Sequence, residues 1–352
     1  MQIHAQLENK HVLVTKPKDV GRLFSKSRIG TPLPKNTLQL SLLEAAFLCE
    51  QQKITIHDAK GIVTLKDLVH KAAELYSSFD LLFLVYRDLR KRGQCVQENI
   101  HDLENSFIIK EQSSHDQSRI LVKVFSERDF FDVIDINKLL NMVESRETML
   151  WFAIADEEGD ITYYSVTRPA IKGVNVEASY GPLQGYLLGE RVILFDEQQS
   201  VQLLKKEFYG KPFGSGLQLS LVEALYLMQK KTLTLYDLTS NAPVSDASFE
   251  QQCTHLQPDI LQRLHVFQML KKQGLIVKTG FKFGTHFRAY TQHPDDTHAE
   301  YLIHTVPSDF RRMWAEMSRA VRLAHTVNKE ILFAPLWSDG SVSFISLGRL
   351  RP

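Results

Sequence analysis

The apolar pattern of the chain is written twice. After Ser41 an apolar run (LLEAAFLCE) predicts a buried helix, and Glu44 three residues on gives the spacing of a capping box. A β-rich ITI stretch follows, and then an amphipathic segment with helical spacing that stops at Gly93, a natural glycine just past a helix end. The same succession returns at Ser220 and Glu223, at TLTL, and at a helix ending at Gly274. Downstream in the second copy, VKTGFKFG, HFRAYT and AEYLIHTV predict strands. A helix is expected around Trp314–Val327, with closing strands in ILFAPLW and VSFISLGRL.

Direct comparison fixes the period. Leu38–Asp58 and Leu217–Asp237 are identical at 10 of 21 positions without a gap, offset by 179. Val85–Val96 aligns with Val266–Val277 at offset 181, and Arg128-Asp-Phe130 with Ser308-Asp-Phe310 at 180. Gly30 and Gly210 also lie 180 apart. A constant register over so long a span means tandem duplication. The predicted fold class is α+β, each repeat having an N-terminal mixed α/β subdomain and a C-terminal α/β subdomain with a mainly antiparallel sheet. The boundaries read as 1–170 for the first repeat and 180–352 for the second, the latter dividing into 180–275 and 276–352. The Gly- and Pro-containing stretch 168–185 joins them.

Composition narrows the function classes. With 43% hydrophobic and 24% charged residues the chain reads as an ordinary globular protein, and no apolar run approaches the roughly 20 residues of a membrane helix. The N-terminus has no basic flank followed by an apolar core, so no secretory signal is expected. Cys49, Cys95 and Cys253 are odd in number and show no CxxC spacing, as expected of reduced thiols in a cytoplasmic protein without a cysteine zinc site. A net charge of +1 does not announce nucleic-acid binding. Lys278–Arg288 nevertheless carries cations and aromatics without an acid, compatible with a local phosphate-binding face.

The duplication also separates scaffold from chemistry. Tyr290, His298 and Lys329 are side chains suited to acid–base work on a phosphodiester. Alignment through the apolar framework places Lys110, Gln117 and Thr148 opposite them. The framework is kept in the first copy and the three polar side chains are not.

The blocks GLIVKTGFKFGTHFRAY (274–290), HAEYL (298–302) and RAVRLAHTVNK (319–329) resemble the archaeal tRNA-intron endonuclease family, and the length and duplication resemble its homodimeric type. The resemblance implies that Tyr290, His298 and Lys329 form a catalytic triad in the second repeat. It implies cleavage of precursor tRNA at bulge–helix–bulge sites, without metal or other cofactor, leaving 2′,3′-cyclic phosphate and 5′-hydroxyl ends. A histidine titrating near neutrality suits protonation of the leaving 5′-oxygen. A lysine supplies positive charge for the phosphorane. Tyr290, with an ordinary phenol pKa of about 10, either activates or orients the 2′-hydroxyl. His298 rather than His293 fits the motif because it directly precedes Ala-Glu-Tyr-Leu.

The family grips a bulge base between two arginines, which points to Arg322 together with Arg349 or Arg351. It also docks an acidic loop on the partner subunit. Asp156, Glu157, Glu158 and Asp160 stand at the matching place, where an ordinary polar hairpin turn is the other reading. The rival expectations are a non-catalytic RNA-binding or assembly subunit of the same enzyme, and a duplicated metal-dependent DNA nuclease.

Overall fold

The computed structural model describes residues 2–99, 103–110 and 119–352. Each repeat opens with a six-stranded sheet. In the first, strand Ile3–Glu8 pairs antiparallel with His11–Val14 and parallel with Ile54–Asp58. In the second, Leu183–Leu188 pairs in the same way with Arg191–Leu194 and Leu233–Asp237. Both expected capping boxes are formed, at Ser41–Glu44 and Ser220–Glu223. Each glutamate has a second task, accepting from the backbone N–H of Gly30 (2.8 Å) or Gly210 (3.0 Å). Those glycines adopt φ of +86° and +60°, and a Cβ there would lie 2.8 Å from Leu38 Cγ or 2.6 Å from the Gln218 carbonyl oxygen. Only glycine fits at this close approach. Helices Phe79–Lys91 and Ile260–Lys272 end at Gly93 and Gly274, where 6→1 bonds (Gln94 N to Leu89 O, 3.0 Å; Leu275 N to Leu270 O, 3.1 Å) close the last turn.

The C-terminal halves of the two repeats do not form separate sheets. They merge into one ten-stranded sheet whose centre is an antiparallel pair, Ile161–Thr167 against Ile345–Leu350, in register from Tyr163↔Leu350 to Thr167↔Ser346. Two strand pairs within it are parallel (Arg119–Ser126 with Thr148–Ala155, and Tyr301–Pro307 with Glu330–Leu336), and the rest are antiparallel. Alternation along each strand feeds two faces. Phe107 and Ile109 enter the core beneath helix Phe79–Lys91, while Ile108 packs with helix Val133–Glu144. Helices Val133–Glu144 and Trp314–Thr326, one from each repeat, share a single core.

A two-stranded ribbon, Phe130–Asp132 with Arg311–Met313, crosses the same seam. Beside it Trp314, fully buried, is ringed by Phe125, Phe131, Phe152 and Tyr164 at centroid distances of 5.5, 5.5, 5.5 and 6.0 Å. All four belong to the first repeat.

In the second repeat one core runs from the six-stranded sheet through helix Ile260–Lys272 into the large sheet, so it crosses the subdomain boundary expected near 275. The connecting stretch 168–182 has no regular structure but is pinned to the second repeat. Gly173 N donates to Gln273 O, Asn175 N to Gly274 O and Val174 N to Thr291 O. A Cβ on Gly173 would collide with the Gly274 carbonyl at 2.1 Å. Glu207, buried against Lys271, accepts from Ala178 N (2.8 Å) and Tyr180 Oη (3.0 Å).

One expected strand is corrected. Strand Ile276–Thr279 takes in only the first three residues of VKTGFKFG, because glycines flank a 3₁₀ turn at Phe281–Phe283 and Gly284 ends it at φ +68°.

Candidate active site

Three chain segments meet at one edge of the large sheet in the second repeat: the end of strand Phe287–Tyr290, the residues before Tyr301, and the residue before Glu330. Their geometry is organised around Ala299. Tyr290 is 8% exposed and clusters with Ile276, Ala299 and Phe208. Lys329 Nζ donates to the Ala299 carbonyl at 2.7 Å. His298 is the residue immediately before Ala299. It is exposed, and its ring makes no hydrogen bond or ion pair among the described residues. The phenol, the imidazole and the ammonium thus stand on, beside and against one residue.

Local sequence explains each placement. Tyr290 lies opposite Ile276 in the strand ladder. Past it the chain leaves the sheet, and the excursion is closed at its base by the Glu300 carboxylate, which accepts from Thr291 N (3.0 Å) and Thr291 Oγ1 (2.7 Å). Lys329 follows helix Trp314–Thr326 through a left-handed Asn328 at φ +53°. Asn328 N bonds to His325 O and Lys329 N to Ala324 O, the paired bonds of a Schellman ending. Glu330 N then bonds to Glu300 O and starts the parallel ladder.

Asparagine tolerates the left-handed region better than other non-glycine residues. Asn328→Gly should therefore keep the parent melting temperature, whereas Asn328→Val, β-branched at positive φ, should lower it, measured by calorimetry. An unmoved midpoint in the valine variant would refute this account of how Lys329 is positioned.

His293 is otherwise engaged. Its ring meets Phe208 edge-on at 4.5 Å, and its Nε2 lies 3.4 Å from Lys205 O at the end of helix Glu197–Glu207. His286 and His304 lie elsewhere in the second repeat, 5.5 Å apart, and burial holds both imidazoles down at about 4, hence neutral near pH 7. The basic segment 278–288 proves partly structural. Lys278 Nζ is spent on Phe208 O, Gly210 O (2.6 Å) and the Glu223 carboxylate (3.4 Å).

In the first repeat the ladder register repeats. Val96↔Ile109 matches Val277↔Ala289, and Leu121↔Leu150 matches Leu302↔Ile331. Lys110 and Thr148 therefore occupy the places of Tyr290 and Lys329. Gln117, aligned with His298, lies outside the described residues.

Arg322 is exposed on helix Trp314–Thr326. Arg349 is exposed on the central strand opposite Tyr164, and Arg351 is exposed just past it. The acidic stretch forms a tight hairpin turn. Asp156 Oδ1 accepts from Glu158 N (3.0 Å) and Asp160 N (2.9 Å), Gly159 adopts φ +84°, and Glu157 pairs with Arg128. Glu158 and Asp160 are exposed. What sequence reading missed is the frame: the Ala299 carbonyl, the Thr291–Glu300 clamp, Asn328 and Phe208. Of these only Asn328, an asparagine just past a helix, carries a local signal.

Among the described residues no group of three or more His, Cys, Asp or Glu side chains is placed to hold a metal ion, and no helix is long and apolar enough to cross a membrane. Two family models match the chain, each twice. The tRNA intron endonuclease N-terminal domain covers residues 3–69 and 183–249, and the tRNA intron endonuclease catalytic C-terminal domain covers 79–163 and 260–344. A tRNA-splicing endonuclease of Methanococcoides burtonii is 36% identical over 99% of this chain and 100% of that protein. Proteins of the same name from Methanosarcina barkeri (34%; 98% and 99% covered) and Haloferax volcanii (28%; 96% and 96%) are also similar.

Proposed function

The chain belongs to the tRNA intron endonuclease family, and from this premise we propose how it performs the intron cleavage that membership implies. It cuts both splice sites of a bulge–helix–bulge in precursor tRNA by metal-independent transfer of the phosphoryl group to the adjacent ribose 2′-hydroxyl. The products are a 2′,3′-cyclic phosphate and a 5′-hydroxyl. The observation that supports this reading best is at Ala299: Lys329 Nζ donates to its carbonyl, Tyr290 clusters with it, and His298 directly precedes it in the chain.

Lys329 spends one of its three N–H donors on Ala299 O, so two remain for phosphate oxygens, and they gain most as negative charge builds on the phosphorane. His298 protonates the departing 5′-oxygen. Tyr290, held in the cluster, accepts from or orients the 2′-hydroxyl. The nucleophile belongs to the substrate, so the chemistry needs neither an enzyme nucleophile nor a metal-bound water.

The enzyme works as a homodimer, each subunit offering Arg322 with Arg349 or Arg351 to a bulge base and the Asp156–Asp160 turn to its partner. Exposure of these arginines and of Glu158 and Asp160 is compatible with both tasks. A bulge–helix–bulge RNA incubated with purified protein in excess EDTA should be cut at both sites, with cyclic phosphate found by mass spectrometry on the 5′ fragment. Intact RNA, or 3′-hydroxyl ends, would overturn the mechanism. Elution as a monomer during sizing would overturn the dimer.

A further inference from the structure

At the register positions of Tyr290 and Lys329 the first repeat carries Lys110 and Thr148, and a hollow opens beside them. A cavity of about 480 Å³ opens where its strand edge meets the end of helix Val133–Glu144. Lys110, Arg119, Arg146, Thr148, Gln97 and Glu98 line it. By ladder register this is the counterpart of the Tyr290–Lys329 corner.

What changed there is the charge. Lys110 and Arg119 face each other directly across the strand pair. The corresponding positions in the second repeat are Tyr290 and Glu300, the latter being the carboxylate that clamps Thr291. Like charges set opposite each other across a ladder are destabilising. Neither side chain has an ion-pair or hydrogen-bond partner among the described residues. Glu98, the carboxylate in the lining, is turned to other work. It accepts from Ser41 Oγ and from Tyr76 Oη (3.1 Å), and burial raises its pKa. A concave site with two juxtaposed cations, neither of them paired among the described residues, has the chemistry of an oxyanion receptor.

We propose that this cavity binds a backbone phosphate of the RNA substrate, with Lys110 and Arg119 as its principal ligands, so that the non-catalytic repeat holds the transcript while the other repeat cuts it. The identity of the ligand rests on the RNA-cleaving reading above; the site itself does not. The two corners lie on the second and ninth strands of the large sheet. Seven inter-strand steps separate them by roughly 34 Å, so the phosphate held here lies far from the one being cut.

The test uses the full chain and fluorescence anisotropy of a labelled precursor tRNA. Lys110→Gln/Arg119→Gln should weaken binding roughly tenfold and reduce the slope of log affinity against log salt by about 1. The single-turnover rate at saturating enzyme should not change, since neither residue belongs to the catalytic corner. A control removing two exposed cations elsewhere, Lys60→Gln/Lys66→Gln, should leave affinity near the parent value. Unchanged affinity in the first variant, or an equal loss in the control, would overturn the site. Binding is read independently of cutting. A parent protein that binds precursor tRNA but cuts nothing would sink the cleavage mechanism while the affinity comparison still judged the cavity.

Discussion

His298→Ala should lower the single-turnover cleavage rate by about 10²- to 10⁴-fold, the usual worth of a positioned general acid, while the dissociation constant for precursor tRNA stays nearly unchanged. The expectation follows from geometry. The imidazole is exposed at the site and is not used by the fold, so its removal leaves no buried group unpaired and no cavity in the core. Two companion substitutions sharpen the result. His293→Ala loses an edge contact with Phe208 and should reduce rate only through loosening of the loop, a far smaller effect. Gln117→Ala, at the aligned position of the first repeat, should leave cleavage intact. A His298→Ala enzyme that cuts at the parent rate, or one that fails only by no longer binding RNA, would remove His298 from the acid role.

Trp314→Ala should cost about 3–5 kcal/mol of stability, the range for truncating a fully buried large aromatic. Set against a total of about 5–15 kcal/mol for a typical folded protein, this is among the heaviest single losses the chain can suffer. Among the described residues the indole Nε1 has no hydrogen-bond partner, so the loss is one of packing and not of a broken polar network. Because four first-repeat rings close around a second-repeat side chain, the damage should not stay in one repeat. Urea unfolding followed by far-UV circular dichroism and by Tyr fluorescence should show one coincident transition moved to lower urea. Trp314→Phe should recover part of the shift. An unmoved midpoint would show that the seam does not depend on this residue.

Much of this was readable before any coordinates. The capping boxes, the helix-ending glycines and the repeat register are local or periodic signals, and each reappears in the structure where Ser41, Ser220, Gly93 and Gly274 predicted it. Membership of the endonuclease family was legible from the blocks around Tyr290, His298 and Lys329, and the two family models support it. What stayed hidden was every feature made by residues distant in sequence. The pairing of Ile161–Thr167 with Ile345–Leu350 joins segments that each read as an ordinary strand, and nothing in either names its neighbour. The bond of Lys329 to the Ala299 carbonyl depends on two parallel strands starting side by side, which no local signal in either announces. VKTGFKFG had enough aromatic and β-branched character to pass for one strand, until the glycines at 280 and 284 bent it. Lys278 illustrates the converse. A cation in a basic, aromatic run was compatible with a phosphate-binding face, yet three acceptors in the neighbouring subdomain hold it.

The central strand pair has a consequence for any attempt to divide the protein. Cutting the gene in the connecting stretch would give two polypeptides, each with its own hydrophobic helices but each ending in a strand stripped of its neighbour. Such bare edges invite the nearest compatible ribbon. Since Ile161–Thr167 and Ile345–Leu350 are duplicates of one ancestral element, like fragments would compete with unlike ones for the vacancy. Covalent linkage removes that competition by keeping the correct neighbour always at hand. Each repeat is, on this view, a built-in mate that the other never has to find.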